Sequence, residues 1–592
     1  MSFKSATLKW IPTLRHVEDF PEEKVIEDVK LLELSNHNHS DSKNDIEAST
    51  LSIDSLNNKQ DVKLIEYRDE ANRHWWSFFN EYEYRINSYE AKKHKWWYMF
   101  DEGTTKAEKK LVWKLYLLVG FYSFLVYWVK SLDSSNISNA YVSNMKEDLN
   151  FQGNDYINTV TCFNVASVVF QIPAMYLFPR FPLHVYLPLI DLFWGTFTLV
   201  CFKATTVSQV QVFRFFVGMG DIHISKKIIM IIIVLTFENL ASFYPCAHYI
   251  FGSWFKHAEL STLCILYYSG QFVGTTSSGL FQAAIFRNLN GVAGLAGWRW
   301  MFLIDGLISF PLAIIGFFCV PGTPYKCYSI WLTDDEIRLA RRRLKLANIT
   351  PPSANPPNFL DKAVWKKVLS TWKVYVLTLL SIGCWNNSTT AGSGYILWLK
   401  SLKRYSIPEV NDLSIIAPLI GMLLLIICCR GADAFRSRSG AIICFSIINF
   451  ISTLILLIWD VPEAAKWFGF SILYSGWASA SVIYSWCNDI LRKDPQERAI
   501  SFILLYSFSQ STSIWVTKLA WPTVDAPRYT VGYGVTLGFV FFLMLTTFIT
   551  LYYYKREERK AARENGIVLY NSKTGDIPDE VQRYLNSKAE IN

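Results

Sequence analysis

Charged residues are scarce in this sequence, and the motifs of soluble enzymes are missing. Only 18% of its 592 residues are charged, whereas soluble globular proteins carry about 25%. The chain has no Gly-x-Ser-x-Gly, no His-Glu-x-x-His and no phosphate-cradling glycine loop, so there is little support for an enzyme. It also has no nucleotide-binding domain, so any uphill transport would need an ion gradient. We therefore expect no enzyme activity and no cofactor.

Cysteine motifs are absent as well. The eleven cysteines include no CxxC pair and no cluster with histidine. Most lie in apolar runs, among them those of Cys162, Cys264, Cys384 and Cys444, so we expect reduced, buried thiols and no metal site. The first hundred residues or so are polar and lack the pattern of a signal peptide. We expect the first membrane helix to act as the insertion signal.

Long apolar runs dominate what is present. Hydrophobic residues make up 51% of the chain, and they form runs of about 20 residues, the length that crosses a bilayer as a helix. Strands of a β-barrel would alternate instead. The sequence therefore predicts an all-α membrane protein with twelve transmembrane helices. The predicted spans are 111–133, 156–178, 184–202, a fourth that starts near 208, 260–283, 300–320, 372–398, 411–429, 440–459, 465–490, 498–519 and 531–554.

Basic residues in the loops predict the orientation. They cluster in the connection 321–371, in the loops after the eighth and tenth spans, and after Tyr554. The positive-inside rule places these segments in the cytosol, so both termini are cytosolic and the number of spans is even. Two six-helix halves, 111–320 and 372–554, give the plan of a two-halved secondary transporter. The net charge of +8 comes from such loops, and no nucleic-acid partner is expected.

The segments outside the halves differ in composition. Residues 1–72 are polar and rich in Ser, Asn, Asp and Glu, which predicts a disordered cytosolic tail. Residues 73–110 mix Trp and Tyr with Lys and Arg, which predicts a segment at the membrane surface. Residues 555–592 form a second cytosolic tail.

Residues 221–237 interrupt the fourth span. Their apolar part is short for a span and unusually rich in isoleucine. A thirteenth span would invert every later loop, so we interpret this segment as an atypical insertion or an error in the gene model. Removing it would join Gly220 to Glu238.

The end of the first span carries two charges. Lys130 and Asp133 are three residues apart and share a helical face. At that depth a charge is costly unless it is paired or functional. A glycine series in the fifth span, Gly270, Gly274 and Gly279, predicts a close-packing face.

Four short motifs carry a family resemblance. They are Asp133-Ser-Ser-Asn136-Ile-Ser-Asn139-Ala, Arg214-Phe-x-x-Gly218-x-x-Asp221, Gly297-Trp-Arg-Trp-Met-Phe and Gly431-Ala-Asp433-Ala-Phe-Arg436-Ser-Arg438. Together they resemble the major facilitator superfamily, in its anion:cation symporter branch and the fungal allantoate permease group. The resemblance implies a proton symporter of the plasma membrane that works as a monomer and imports a small carboxylate vitamin, with biotin as the first choice.

Two alternatives to that function remain open. The chain could be a permease for another organic anion, such as pantothenate or allantoate. It could also be a nutrient sensor that binds without transporting. The tail after Tyr554 is short, which argues against a sensor.

The chain departs from the family pattern at two positions. The family's arginine after the first-span acid is Ser134 here, which leaves Lys130 as the nearest cation. The family's fourth-span glutamate is Asp221 here, and Glu238 would take its place if 221–237 were absent. We predict Asp133, together with Glu238 or Asp221, as the proton-coupling residues. A substrate carboxylate would then compete for Lys130 while a proton neutralises Asp133; alternatively, the two form an ion pair that stabilises the helix end.

Polar and aromatic residues in the spans are candidates for substrate contacts, since Trp packs flat rings and Asn both donates and accepts hydrogen bonds. Ordinary helix packing is the alternative for each of them. The predicted substrate-binding residues are Lys130, Asn136, Trp385, Asn386, Trp486 and Asn488. Arg214 is predicted to pair with an acid in a gating or structural role, and Asp191 and Asp305 to be structural hydrogen-bonding groups. A charge clamp that controls closing of the halves is predicted from Asp433, Arg436 and Arg438.

Overall fold

The computed structural model describes residues 12–18, 66–81, 83–84, 100, 104–177, 181–218, 243–347, 349, 362–387, 391–563, 567–575, 577–578 and 580–583. Within these ranges the chain is almost entirely helical, with one short two-stranded sheet. The segment 221–237 lies outside the described residues, and so do Asp221 and Glu238.

The first half begins with a helical run much longer than the predicted span 111–133, with a kink at Ser143 and Asn144 near its end. It starts at a capping box formed by Thr105 and Glu108. It continues past Asp133 because Asn136 and Asn139 are buried and hydrogen-bonded to a neighbouring helix. The described helices of this half are α1 (Lys106–Asp148), α2 (Asp155–Leu177), α3 (Leu183–Val200), α4 (Val207–Gly218), α5 (Phe243–Trp254), α6 (His257–Leu289) and α7 (Gly297–Cys319).

The second half contains several broken helices. Within the predicted span 372–398 one helix ends at Asn386 and the next described helix begins at Ala391, and the span 465–490 is divided into three helices. Apolar runs alone did not show these helix ends. The connection between the halves holds α8 (Asp334–Leu346) and α9 (Lys362–Leu369). The remaining described helices are α10 (Trp372–Asn386), α11 (Ala391–Ser401), α12 (Ile407–Leu413), α13 (Ile416–Ala434), α14 (Arg438–Ile458), α15 (Glu463–Ile472), α16 (Ser475–Ala478), α17 (Ala480–Ile490), α18 (Pro495–Ala520) and α19 (Thr530–Lys560).

Helices of membrane length are prominent in the described part of the chain. Seven helical runs there are long and apolar enough to cross a membrane. An eighth is added if α9 and α10, which meet at an angle of 69°, are counted as one. The other four predicted spans correspond to α2, to α4 with α5, to α6, and to α15 with α16 and α17.

Close contact between α6 and its neighbours depends on glycine. A Cβ at Gly270 would lie 2.6 Å from the backbone oxygen of Phe124, and one at Gly274 would lie 2.4 Å from that of Trp128. Gly279 faces the second half, where a Cβ would lie 2.8 Å from the backbone oxygen of Asn411. The predicted close-packing face is confirmed. Gly270 and Gly274 pack against α1, and Gly279 packs against α12.

The two ends of the chain meet at one end of the bundle. Strand β1 (Glu66–Asp69) pairs in parallel with strand β2 (Ile567–Tyr570). Glu83 binds Arg73 at 2.7 Å and Lys555, at the end of α19, at 2.5 Å. Residues 66–72 therefore differ from the disordered tail predicted for 1–72. Their partners lie about five hundred residues away in sequence, which local composition does not reveal.

The cysteines follow the prediction of burial in part. Cys264 and Cys384 are buried, Cys162 is half-buried and Cys444 is exposed. The expectation for Cys444 is wrong, because its position on α14 faces outward from the protein. An apolar run in a membrane helix contains such outward positions as well as core positions.

Candidate functional site

The two charges of the predicted first span belong to two different ion pairs. Lys130 Nζ lies 3.6 Å from Asp191 Oδ1 on α3, and 5.5 Å from the centre of the Trp194 ring. Asp133 pairs with Arg214 on α4, with 3.1 Å between Oδ2 and Nη1. The alternative interpretation, an ion pair between Lys130 and Asp133, is wrong, whereas their predicted roles toward a substrate carboxylate and a proton stay predictions. Positions three apart diverge by about 60° around a helix axis, so one side chain faces α3 and the other α4.

Two nitrogen atoms of the Arg214 side chain donate hydrogen bonds to Asp133 on α1. Nη1 donates to Asp133 Oδ2 and Nη2 donates to the Asp133 backbone oxygen at 3.2 Å. Trp194 Nε1 donates to the same carboxylate at 3.2 Å. The planar fork of arginine suits this arrangement. The predicted pairing of Arg214 with an acid is confirmed.

A second acid, Asp305 on α7, lies beside this pair. It accepts a hydrogen bond from Asn136 Nδ2 at 2.7 Å, and it interacts electrostatically with both Asp133 and Arg214. One guanidinium thus interacts with the charges of two buried carboxyl groups, and its ion pair within 4 Å is with Asp133. If both were ionised, a net negative charge would be buried, which is costly. Two carboxyl groups that share a site do not readily ionise together, so this cluster can hold an exchangeable proton.

Asn136 on α1 and Asp191 on α3 each make hydrogen bonds within the protein. Asn136 accepts a hydrogen bond from Ser278 Oγ on α6 at 2.7 Å, in addition to donating to Asp305. Asp191 accepts from Tyr122 Oη at 2.9 Å, besides facing Lys130. Asp191 and Asp305 are hydrogen-bonded as predicted. Asn136 positions Asp305, a role that the sequence did not indicate.

Trp385 and Asn488 come together at the contact between the two halves. Trp385 Nε1 donates to Tyr484 Oη at 2.6 Å. Asn488 Nδ2 lies 3.2 Å from the Tyr484 backbone oxygen and 3.3 Å from His248 Nδ1. The rings of Tyr484 and Tyr506 stack at 4.9 Å. His248 and the two tyrosines were not predicted; a histidine inside the apolar segment of α5 was the available signal.

Asn386 and Trp486 point elsewhere. Asn386 Nδ2 donates to Thr512 Oγ1 on α18 at 3.1 Å. Trp486 is fully buried and packs edge-on against Tyr554 of α19, with 6.2 Å between ring centres. Because Trp486 is two residues from Asn488, the two face different sides of α17. The structure therefore separates Trp486 from the cluster around His248.

The three residues of the predicted charge clamp make three different kinds of contact. Asp433 Oδ2 accepts a hydrogen bond from Ser261 Oγ on α6 at 2.8 Å, which joins the two halves. Arg438 lies 3.6 Å from Asp489 within the second half. The backbone oxygen of Arg436 accepts a hydrogen bond from the segment before α1 at 3.4 Å. A gating role for these residues stays a prediction.

The opposite end of the bundle is also closed by contacts between the halves. Arg287 on α6 forms an ion pair with Asp412 on α12. Lys400 Nζ donates to the Val142 backbone oxygen at 3.1 Å. The halves thus touch at both ends.

Membrane-length helices that hold buried charges and meet across two halves define a multi-pass membrane carrier. The chain belongs to the Major Facilitator Superfamily, because the family model of that description matches residues 123–517.

Relatives within the superfamily are transporters. The chain is 43% identical to the Vitamin H transporter of Saccharomyces cerevisiae, over 92% of this chain and 90% of that protein. It is 29% identical to the pantothenate transporter liz1 of Schizosaccharomyces pombe, over 77% of this chain and 84% of that protein. It is 28% identical to the pantothenate transporter FEN2 of Saccharomyces cerevisiae, over 72% of this chain and 81% of that protein.

Solved structures agree with the fold. The proton:xylose symporter XylE bound to 6-bromo-6-deoxy-D-glucose superposes with a TM-score of 0.55 at 13% identity, over 74% of this chain and 95% of that one. At this identity the likeness concerns the fold alone. The predicted all-α membrane fold of the superfamily is confirmed.

Proposed function

We propose that this protein is a plasma-membrane proton symporter that imports a small carboxylate vitamin, biotin, by alternating access. The observation that carries the proposal is the cluster in the interior of the first half, in which Asp133 pairs with Arg214 and Asp305 interacts electrostatically with both. Similarity to the yeast Vitamin H transporter supports biotin as the substrate. The chain acts as a monomer in this proposal.

A proton on the cluster would decide which conformation is stable. With one proton bound, Arg214 is balanced by one carboxylate. When the proton leaves, Asp133 and Asp305 bury an excess negative charge, which favours a conformation that lets water reach them. A change in relative stability of this kind shifts the population of two conformations. Proton movement is thereby coupled to opening of the halves.

We propose that the end of the bundle with α8, α9 and both termini faces the cytosol, since its loops carry the basic residues. The contact of Ser261 with Asp433 is then an inner gate, and the pair of Arg287 with Asp412 is an outer gate. Each would have to break in turn for a substrate to pass.

A second candidate substrate is pantothenate. Two of the relatives are pantothenate transporters, at 29% and 28% identity. Pantothenate is also a carboxylate, so the proton cluster would serve it equally well. Competition between labelled biotin and unlabelled pantothenate separates the two candidates.

Uptake of labelled biotin in transporter-deficient yeast tests the proposal. We expect uptake at acid pH, weaker uptake at neutral pH, and loss on addition of a protonophore. Asp133→Asn should abolish the pH dependence, whereas Asp460→Asn should not, because Asp460 is an exposed partner of Arg528. Absence of biotin uptake would refute the substrate. Uptake indifferent to the protonophore would refute the coupling.

Deletion of residues 221–237 belongs to the same assay. The deletion joins Gly220 to Glu238 and restores the glutamate that the family resemblance implies for the fourth span. If Glu238 then takes part in proton coupling, the shortened chain should transport, and Glu238→Gln within it should not. Equal transport by both shortened chains would remove Glu238 from the mechanism.

A further inference from the structure

Lys130, the predicted ligand of a substrate carboxylate, already faces an acid. Asp191 lies 3.6 Å from it, and both side chains are buried. A substrate would have to displace that carboxylate. A cation without an acid partner would bind an anion at lower cost.

Arg498 on α18 forms no salt bridge with an acid among the described residues. It is 1% exposed, and Nη1 donates to the Gly252 backbone oxygen on α5 at 3.1 Å. Nε and Nη2 are buried and make no hydrogen bond with the described part of the chain. The acids nearest in sequence, Asp494 and Glu497, each pair with a lysine instead. Asp494 still interacts electrostatically with Arg498, but within the described part of the chain no carboxylate contacts the guanidinium directly.

The two unused donors lie on one edge of the guanidinium. Nε–H and Nη2–H are parallel, which is the geometry that binds both oxygens of a carboxylate. An unused acceptor, Asn488 Oδ1, lies across Gly252. A Cβ at Gly252 would approach Arg498 Nη1 to 3.0 Å and Asn488 Oδ1 to 3.1 Å. Unsatisfied polar groups on both sides of a glycine indicate a site that a polar ligand completes.

We propose that Arg498 binds the carboxylate of the transported acid through its Nε and Nη2 edge, with the body of the ligand directed toward the aromatic layer of Trp385, Tyr484 and Tyr506. This inference rests on the proposed function and adds the anion-binding residue to it. As the residue that binds the substrate carboxylate, Arg498 replaces Lys130, which pairs with Asp191.

The spacing along α18 indicates the shape of the ligand. Arg498, Phe502 and Tyr506 follow one another at intervals of four, so they share a face of the helix. Tyr506 lies two turns from Arg498, about 12 Å along the axis. A carboxylate on a flexible arm, attached to a flat polar ring, matches this separation of cation and aromatic layer.

The contact between α5 and α18 closes this path. His248 and Phe502 stack at 5.7 Å between Arg498 and the aromatic layer. A ligand reaches Arg498 only when α5 and α18 separate. These helices belong to different halves, so the same rocking motion that opens the carrier exposes the site.

Arg498 could instead merely fix the end of α5. However, Arg343 Nη2 already donates to the Trp254 backbone oxygen at that helix end. A purely structural role would also affect charged and neutral ligands alike. Comparison of an acid with its amide therefore separates the two roles.

The test is binding of biotin and of its neutral amide, biotinamide, to the purified full chain. Wild type should bind biotin more tightly than biotinamide. Arg498→Gln should bind biotin on the order of 10- to 100-fold more weakly, as expected for loss of a charge-assisted pair, and should bind both ligands about equally. Arg498→Lys should keep part of the preference. Arg528→Gln, an exposed control, should behave as wild type.

Two results would overturn the inference while leaving the proposed function intact. One is an undiminished preference of Arg498→Gln for biotin over biotinamide. The other is an equal weakening of both ligands, which would show a structural role. If wild type binds neither ligand, the proposed function fails, and the assignment of Arg498 fails with it.

Discussion

Replacing Asp305 by asparagine should separate transport from proton coupling. The amide keeps the shape of the carboxyl group and can still accept the hydrogen bond from Asn136, which measures 2.7 Å. It also leaves the pair of Asp133 and Arg214 as an ordinary balanced ion pair. We therefore expect Asp305→Asn to fold with a stability at or above that of wild type.

Asparagine at position 133 should have a different effect. Asp133 accepts from Arg214 and from Trp194, so the substitution removes the main partner of a buried guanidinium. Breaking a buried ion pair costs about 3–5 kcal/mol. Because Asp305 can partly replace the lost carboxylate, we expect a loss near the lower limit, about 3 kcal/mol.

Proteoliposomes and thermal unfolding measure the two effects. Asp305→Asn should exchange labelled for unlabelled biotin across the membrane, yet it should not accumulate biotin when a pH gradient is imposed. Its thermal midpoint should exceed that of Asp133→Asn. Accumulation by Asp305→Asn at the wild-type level would refute the reasoning, because the proton would then be carried by another group.

Three further predictions concern buried charge, packing and pH. Lys130→Ala should lower the thermal midpoint by leaving Asp191 unpaired, and Lys130→Ala with Asp191→Asn should recover most of the loss. Gly274→Ala should lower the stability of the folded protein by about 1–3 kcal/mol through overpacking, because its Cβ would lie 2.4 Å from a backbone oxygen of α1. Gly538→Ala should leave the stability unchanged, because a Cβ at that position meets open space. Burial raises the pKa of Glu81 from 4.5 to about 7, with Arg438 opposing the shift. Glu81 Oε1 accepts a hydrogen bond from the Ser439 backbone N–H of α14 at 2.9 Å. This contact should therefore be strongest below pH 4.5 and weaken as the pH rises through about 7, and Glu81→Gln should abolish this dependence in proteolysis of the segment before α1.

Each of these three predictions has a result that would contradict it. A double variant no more stable than Lys130→Ala would show that Asp191 does not need the lysine charge. Equal thermal midpoints for Gly274→Ala and Gly538→Ala would show that α1 and α6 can separate slightly without cost. A proteolysis profile that keeps its pH dependence in Glu81→Gln would assign it to another carboxyl group.

Apolar runs predicted the membrane fold because span length is a local property of the sequence. The end of α1 was not predicted, since Asn136 and Asn139 are polar and continue the helix only through partners on α6. The end of α10 at Asn386 was also missed within an apparently continuous run. Strands β1 and β2 escaped prediction because each finds its partner at the other end of the chain.

In the candidate site, too, single residues could be predicted from the sequence but their contacts could not. Asp133 and Arg214 were identified singly, because a charge inside an apolar run is conspicuous in sequence. Their mutual pairing depends on contacts between α1 and α4, which spacing along the chain does not reveal. Arg498 is the first residue of the predicted span 498–519, and its role was not predicted, because its contact with Gly252 exists only after the halves meet.

The most direct test is accumulation of labelled biotin by the purified wild-type chain in proteoliposomes with an imposed pH gradient. The account predicts accumulation above equilibrium when the outside is more acidic. It predicts simple equilibration without a gradient. Equal uptake with and without the gradient would contradict proton symport, and no uptake in either condition would contradict biotin as the substrate.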